Sequence, residues 1–157
     1  MLTWGARLAR AGEPLPALDH LPTTSAAVRR WRQMIDAQEQ TGALDDALVH
    51  IAVLRRVLPD DQSLRLRHAD LLVQSGQEEA ALQLYAALAT EDGLWGTLAG
   101  AQQAQLQNER TRAADLYADA VPLTTSYAQA MQVGHGLSEL GDVPAAQRAY
   151  ERAAQFS

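Results

Sequence analysis

An all-α fold is expected from three features of the chain. The first is residue usage: 30 Ala and 23 Leu stand against only ten Val and Ile together. Ala and Leu are strong helix formers, while β-branched residues favour strands. The second is punctuation. A turn-forming residue follows an apolar stretch at Gly12, Gly42, Gly76, Asn108 and Gly141, at intervals of 30, 34, 32 and 33 residues. The third is that positions counted outward from each turn repeat the same side-chain size, which is the mark of stacked supersecondary units.

Composition narrows the function classes. The chain has 157 residues, enough for one ordinary domain or a short repeat array. Its 13 basic residues are all Arg, and 19 acidic residues bring the formal charge to −6. That balance argues against a nucleic-acid binder held by phosphate contacts. The absence of Cys excludes disulfides, thiolate zinc sites and cysteine nucleophiles. No apolar run approaches 18 residues, so direct membrane insertion is not expected. Arg7 and Arg10 interrupt the N-terminal apolar stretch, unlike a secretory signal. The compartment stays open: periplasmic if the chain belongs to an export scaffold, cytoplasmic otherwise.

Each turn predicts the end of one helix and the start of another, because Gly and Asn most easily take the left-handed conformation that closes a helix. Five residues past the turn stand Ala17, Ala47, Ala81, Ala113 and Ala146; nine past stand Leu21, Ile51, Tyr85, Tyr117 and Tyr150. Twelve past stand Leu54, Leu88, Ala120 and Ala153. Seven before stand Gly5, Ile35, Ala69, Ala101 and Gly134, and eight before stand Trp4, Met34, His68, Gly100 and Val133. Offsets of five, nine and twelve share one helix face. A small residue there lets the paired helix approach, and the bulky residue one turn on fills the adjacent space. Each pair leaves an apolar face that the next pair covers. Thr23, Thr24 and Ser25, then Asp60 and Asp61, then Thr124, Thr125 and Ser126 stand where first helices need caps. Asp45 and Asp46 suit the positive end of a second helix. Pro14, Pro16 and Pro22 confine the second helix of the opening unit to about residues 17–21.

The segment from Trp31 through Met34, Ile35, Gly42, Ala47, Ile51 and Leu54 to Pro59 resembles the tetratricopeptide repeat, a helix–turn–helix unit of about 34 residues. Val133, Gly134, Gly141, Ala146, Tyr150 and Ala153 form a second match. The resemblance implies a right-handed α-solenoid of antiparallel helix pairs. Its repeats would span 28–61, 62–93, 94–126 and 127–157, after a degenerate partial repeat at 1–27. The third repeat is ambiguous: Trp95, Leu98 and Ala99 look like the family's opening but stand two residues too far from Asn108. Either that hairpin is longer, or Trp95 has another role. Both chain ends read as cut, with no polar terminal helix closing the stack, so the chain reads as a fragment with self-association through the cut ends.

No catalytic, metal or cofactor residues are expected. His20, His50, His68 and His135 form no HxxxH or HExxH pattern, and no GK[ST] phosphate loop is present. Gly134-His135-Gly136 is too short for a dinucleotide fingerprint. Trp31, Tyr85, Tyr117 and Tyr150 read as core. His68 reads as a packed helix residue or, alternatively, a switch or ligand. His135 reads as solvated or groove-facing, and Trp95 as core or exposed anchor. Arg29, Arg30 and Arg32 read as a solvated face or as a basic patch for an acidic partner segment.

The resemblance implies a concave face lined by first-helix positions thirteen, ten, six and three residues before each turn. These are Arg29, Arg32, Asp36 and Glu39; Ser63, Leu66, Asp70 and Val73; Trp95, Leu98, Gln102 and Gln105; and Ala128, Met131, His135 and Ser138. The face would be charged at one end and apolar toward the middle, and would hold a partner protein or peptide. The carboxylate clamp of chaperone-binding family members is not matched: Lys is absent, Asp36 stands where Asn is needed, and Arg32 and Arg67 alone do not make it. Arg-for-Lys usage and Ala richness suggest a bacterial scaffold, such as the repeat array of an exopolysaccharide-export protein. A cytosolic peptide-binding regulator or assembly chaperone, and a helical accessory domain of an enzyme, are the alternatives.

Overall fold

A computed structural model describes residues 21–157. Among these residues the protein is all-helical, with no strand. The helices are α1 (Ser25–Gln40), α2 (Leu44–Val57), α3 (Gln62–Gln74), α4 (Glu78–Ala89), α5 (Leu94–Leu106), α6 (Arg110–Ala120), α7 (Tyr127–Glu139) and α8 (Val143–Ala154). One 3₁₀ turn (Val121–Leu123) joins α6 to α7. The expected partial unit around Gly12 lies outside the described residues. The chain divides into two compact units, the first ending at Ala81 and the second spanning Leu82–Ser157. The division falls inside α4.

The four turns share one hydrogen-bond closure. The amide following each turn residue reaches back five residues: Ala43 to Gln38, Gln77 to Leu72 and Glu109 to Ala104 at 2.8 Å, and Asp142 to Leu137 at 3.0 Å. The turn residue's own amide reaches back three, as Gly42 does to Glu39 at 3.2 Å. This paired closure satisfies the last carbonyls of the first helix and requires a left-handed residue. Gly42, Gly76 and Gly141 supply it with φ of 79°, 82° and 80°, and Asn108 with φ of 62°. Thr24, Asp61 and Ser126 cap α1, α3 and α7 through their side chains, accepting from Ala27, Leu64 and Gln129.

Regular closure resolves the third period. α3, α5 and α7 each have 13 residues and begin fourteen residues before Gly76, Asn108 and Gly141. The hairpin at Asn108 is therefore not longer, and Trp95 is the second residue of α5. It shares the phase of Arg29, Ser63 and Ala128, whereas Trp31 corresponds to Thr97.

The predicted register holds in the core. Ala47, Ala81, Ala113 and Ala146 are buried, as are Ile51, Tyr85 and Tyr117, then Leu54, Leu88, Ala120 and Ala153. In the first unit α1 packs on α2 and α2 on α3. Ile35, Ala47, Ile51, Leu54, Leu64 and Leu71 form the centre, with Trp31 and Val28 against it.

In the second unit α5 packs on α6, α6 on α7, and α7 on α8. Here two glycines of α7 admit tyrosine rings. A Cβ at Gly134 would stand 2.5 Å from Tyr150 Cε1, and one at Gly136 2.7 Å from Tyr117 Cζ. Gly134-His135-Gly136 is thus a packing device. Arg152 ties α8 to the loop before α7. Its Nε donates to Thr124 Oγ1 at 2.8 Å, and its Nη2 donates to the carbonyls of Thr124 at 2.7 Å and Pro122 at 3.1 Å. Thr124 is fully buried, so the bonds to its carbonyl and hydroxyl satisfy oxygens that water cannot reach.

The face of α8 turned away from α7 is polar. The helix buries Ala145, Ala146, Ala149 and Ala153 and exposes Gln147, Arg148 and Glu151. Its last turn ends at the Gln155 cap, whose amide bonds to Arg152 and Ala153 carbonyls.

Candidate partner-binding surface

In the first unit, ion pairs organise the lining positions. Arg67 of α3 pairs with Asp36 of α1 and, at 3.3 Å, with Glu39. Arg32 Nη2 stands 2.6 Å from Asp61 Oδ2. Asp61 also accepts from Ser63 Oγ at 2.6 Å and from the Leu64 amide at 3.0 Å. Burial pushes the Asp61 carboxyl up, but the bonds from Ser63, Leu64 and Arg32 outweigh burial and hold it below the usual range. Arg32 therefore positions the start of α3 against α1 and is not a free cation. Arg29 and Arg30 stand exposed beside it, so the predicted basic face narrows to these two. Asp70 is half-buried.

Leu66 and Leu98 require correction. They are 2% and 0% exposed, and so belong to the core and cannot line an open face. The position ten residues before the turn faces inward in both α3 and α5. The apolar middle expected of the face is lost with them.

What remains in the second unit is a row of amides, hydroxyls and one indole. Trp95, Gln102 and Met131 are half-buried, and His135 is exposed. Tyr85 donates its phenol to Gln102 Oε1 at 2.8 Å, and Tyr117 donates to Gln105 Oε1 at 3.1 Å. Gln105 Nε2 in turn donates to Glu139 Oε2 at 3.3 Å. Tyr150 and Ser138 share a hydroxyl–hydroxyl bond at 3.1 Å, and the His135 ring meets the Tyr150 ring edge-on with centroids 5.9 Å apart. The tyrosines read as core are thus core in their rings only, with phenols that reach lining positions. Tyr in place of Phe or Leu was the available signal, since a buried phenol needs a partner.

Two histidines of the first unit lie within its packing. His50 Nδ1 stands 3.0 Å from Gln38 Oε1, and its ring meets Trp31 edge-on at 5.4 Å. Burial lowers the His50 pKa, against an opposing effect of Asp46. His68 Nδ1 stands 2.9 Å from Arg55 Nη1. Among the described residues no group of three or more His, Asp or Glu is placed to hold a metal ion. Among them, too, no helix is long and apolar enough to cross a membrane. Compared with known proteins, the chain matches no family model and no curated sequence.

Proposed function

We propose that this protein is a non-catalytic binding scaffold that holds a segment of a partner protein on its first-helix face. In this reading its helix–turn–helix periods stack side by side as a right-handed solenoid similar to tetratricopeptide arrays. The observation that carries the reading is the identical closure at Gly42, Gly76, Asn108 and Gly141. It fixes where each first helix lies along the chain relative to its turn, and groups that are not buried stand at matching offsets, Arg29 and Trp95 thirteen residues before the turn and Gln102 and His135 six before it, with Met131 half-buried at ten before.

The chemistry of those positions describes the partner. Arg29 and Arg30 suit an acidic side chain. Gln102 gives its carbonyl oxygen to Tyr85, which leaves its amide NH₂ for a main-chain carbonyl. Trp95 and Met131 offer the large, adaptable apolar contacts common at interface anchors. A bacterial assembly such as an exopolysaccharide-export complex is the setting suggested by Arg and Ala usage.

The test is affinity capture with the full chain, run beside Trp95→Ala and Met131→Glu. A partner retained by the parent and lost by a variant whose melting temperature is unchanged supports the reading. Equal retention by both variants, at high salt as at low, overturns it. Loss of the partner at high salt assigns the contact to Arg29 and Arg30, and persistence assigns it to Trp95 and Met131.

A further inference from the structure

The joint between α2 and α3 contains a polar contact of unusual composition. Arg55, near the end of α2, places Nη1 2.9 Å from Nδ1 of His68 in the middle of α3. A guanidinium has five donors, no acceptor, and stays charged in proteins. His68 Nδ1 must therefore present its lone pair, with the ring neutral and its proton on Nε2. Arg55 Nε is buried and has no hydrogen-bond partner among the described residues. The charges acting on the pair are both cationic: Arg55 of α2 acts on the imidazole, and Arg65 of α3 acts on Arg55. Three carboxylates of the first unit are paired with other cations, Asp61 with Arg32 and Asp36 and Glu39 with Arg67.

We propose that the Arg55–His68 contact is an acid-sensitive latch: a proton on His68 Nδ1 replaces the accepting lone pair with an N–H aimed at a guanidinium, and the α2–α3 joint loosens. The new charge is held among cations in a partly dry site, where neither donor can satisfy the other.

Burial first, and Arg55 second, lower the His68 pKa to about 4 from the ordinary 6.5. The folded pKa lies below the unfolded one, so the open form binds the extra proton between these values. The contribution of the latch is fully present above about pH 6.5 and is lost as pH falls toward 4. Within that window the opening constant rises by up to about tenfold per pH unit. Asp61, held below the usual carboxylate range, titrates outside the window. His50 does not, since burial lowers it from the same ordinary value, and it needs a control of its own.

The experiment is amide hydrogen exchange on the full chain at pH 7 and pH 5, corrected for intrinsic exchange, with His68→Gln and His50→Gln alongside. Glutamine at 68 keeps an acceptor for Arg55 that does not titrate. The expected result is a rise of roughly tenfold or more in α2 and α3 opening for the parent and for His50→Gln. His68→Gln should lose most of that rise, keeping only the share that His50 contributes, and α7 and α8 should not change. A rise in His68→Gln as large as the parent's, or no rise in the parent, overturns the proposal. A His68 ring titration followed by NMR in the unmodified protein gives a second reading. A midpoint near the ordinary value overturns the latch, and a strongly depressed one supports it.

Discussion

In the first unit, α3 reaches α1 through guanidinium–carboxylate pairs, Arg67 to Asp36 and Glu39, with Arg32 closing back onto Asp61. In the second unit, α7 meets its neighbours where Gly134 and Gly136 lie against the Tyr150 and Tyr117 rings. Two periods of similar length and turn closure thus hold their helices by different physics. Charge pairs near the surface contribute little each and respond to salt and pH. Close approach of backbone to ring has no titrating part, but it tolerates no added volume. Arg152 shows the same contrast. It is a cation, yet its partners are the carbonyls of Pro122 and Thr124 and the Thr124 hydroxyl, not a carboxylate.

Gly136→Val tests the close packing of the second unit most severely. Its side chain would overlap the Tyr117 ring, and a loss of about 3 kcal/mol, the upper part of the overpacking range, is expected in denaturant unfolding. A neutral result would mean that the rings move aside and that close approach does not hold the second unit. Next comes Arg152→Ala, which leaves buried oxygens of Thr124 without donors. The expected loss is about 2 kcal/mol. Arg152→Gln, which can restore part of that bonding, should recover some of it in the same assay.

A smaller effect separates the units by pH. Moving from pH 7 to pH 5 should cost the first unit about 1–2 kcal/mol through His68, read from exchange or from Trp31 fluorescence in a Trp4→Phe, Trp95→Phe background. The second unit, read from Trp95 with the other two replaced, should hold its signal. Equal responses would mean that the two units do not differ in their sensitivity to acid. The smallest effect is expected from salt. Raising ionic strength to about 1 M should weaken the partly exposed pairs of Arg32 and Arg67 by about 0.5 kcal/mol in total. It should leave the Arg152 contacts to neutral groups unchanged in the same titration.

The turns, the caps and the small residues five positions past each turn could be read directly from the chain. Their causes are local. A left-handed residue, a hydroxyl or carboxylate at a helix start, and a 3.6-residue period each act within a few residues along the backbone, so residue type is enough to locate them. Burial at Leu66 and Leu98, the inward side of Gly134 and Gly136, the Arg152–Thr124 tie and the Arg55–His68 contact had no such local signature. Each depends on groups 12 or more residues apart being brought within a few ångströms, and on how much water is expelled when they meet. Solvent exclusion is a property of the surrounding helices taken together. It sent two predicted lining leucines into the core, brought tyrosine phenols out to meet Gln102, Gln105 and Ser138, and left one histidine neutral against a guanidinium.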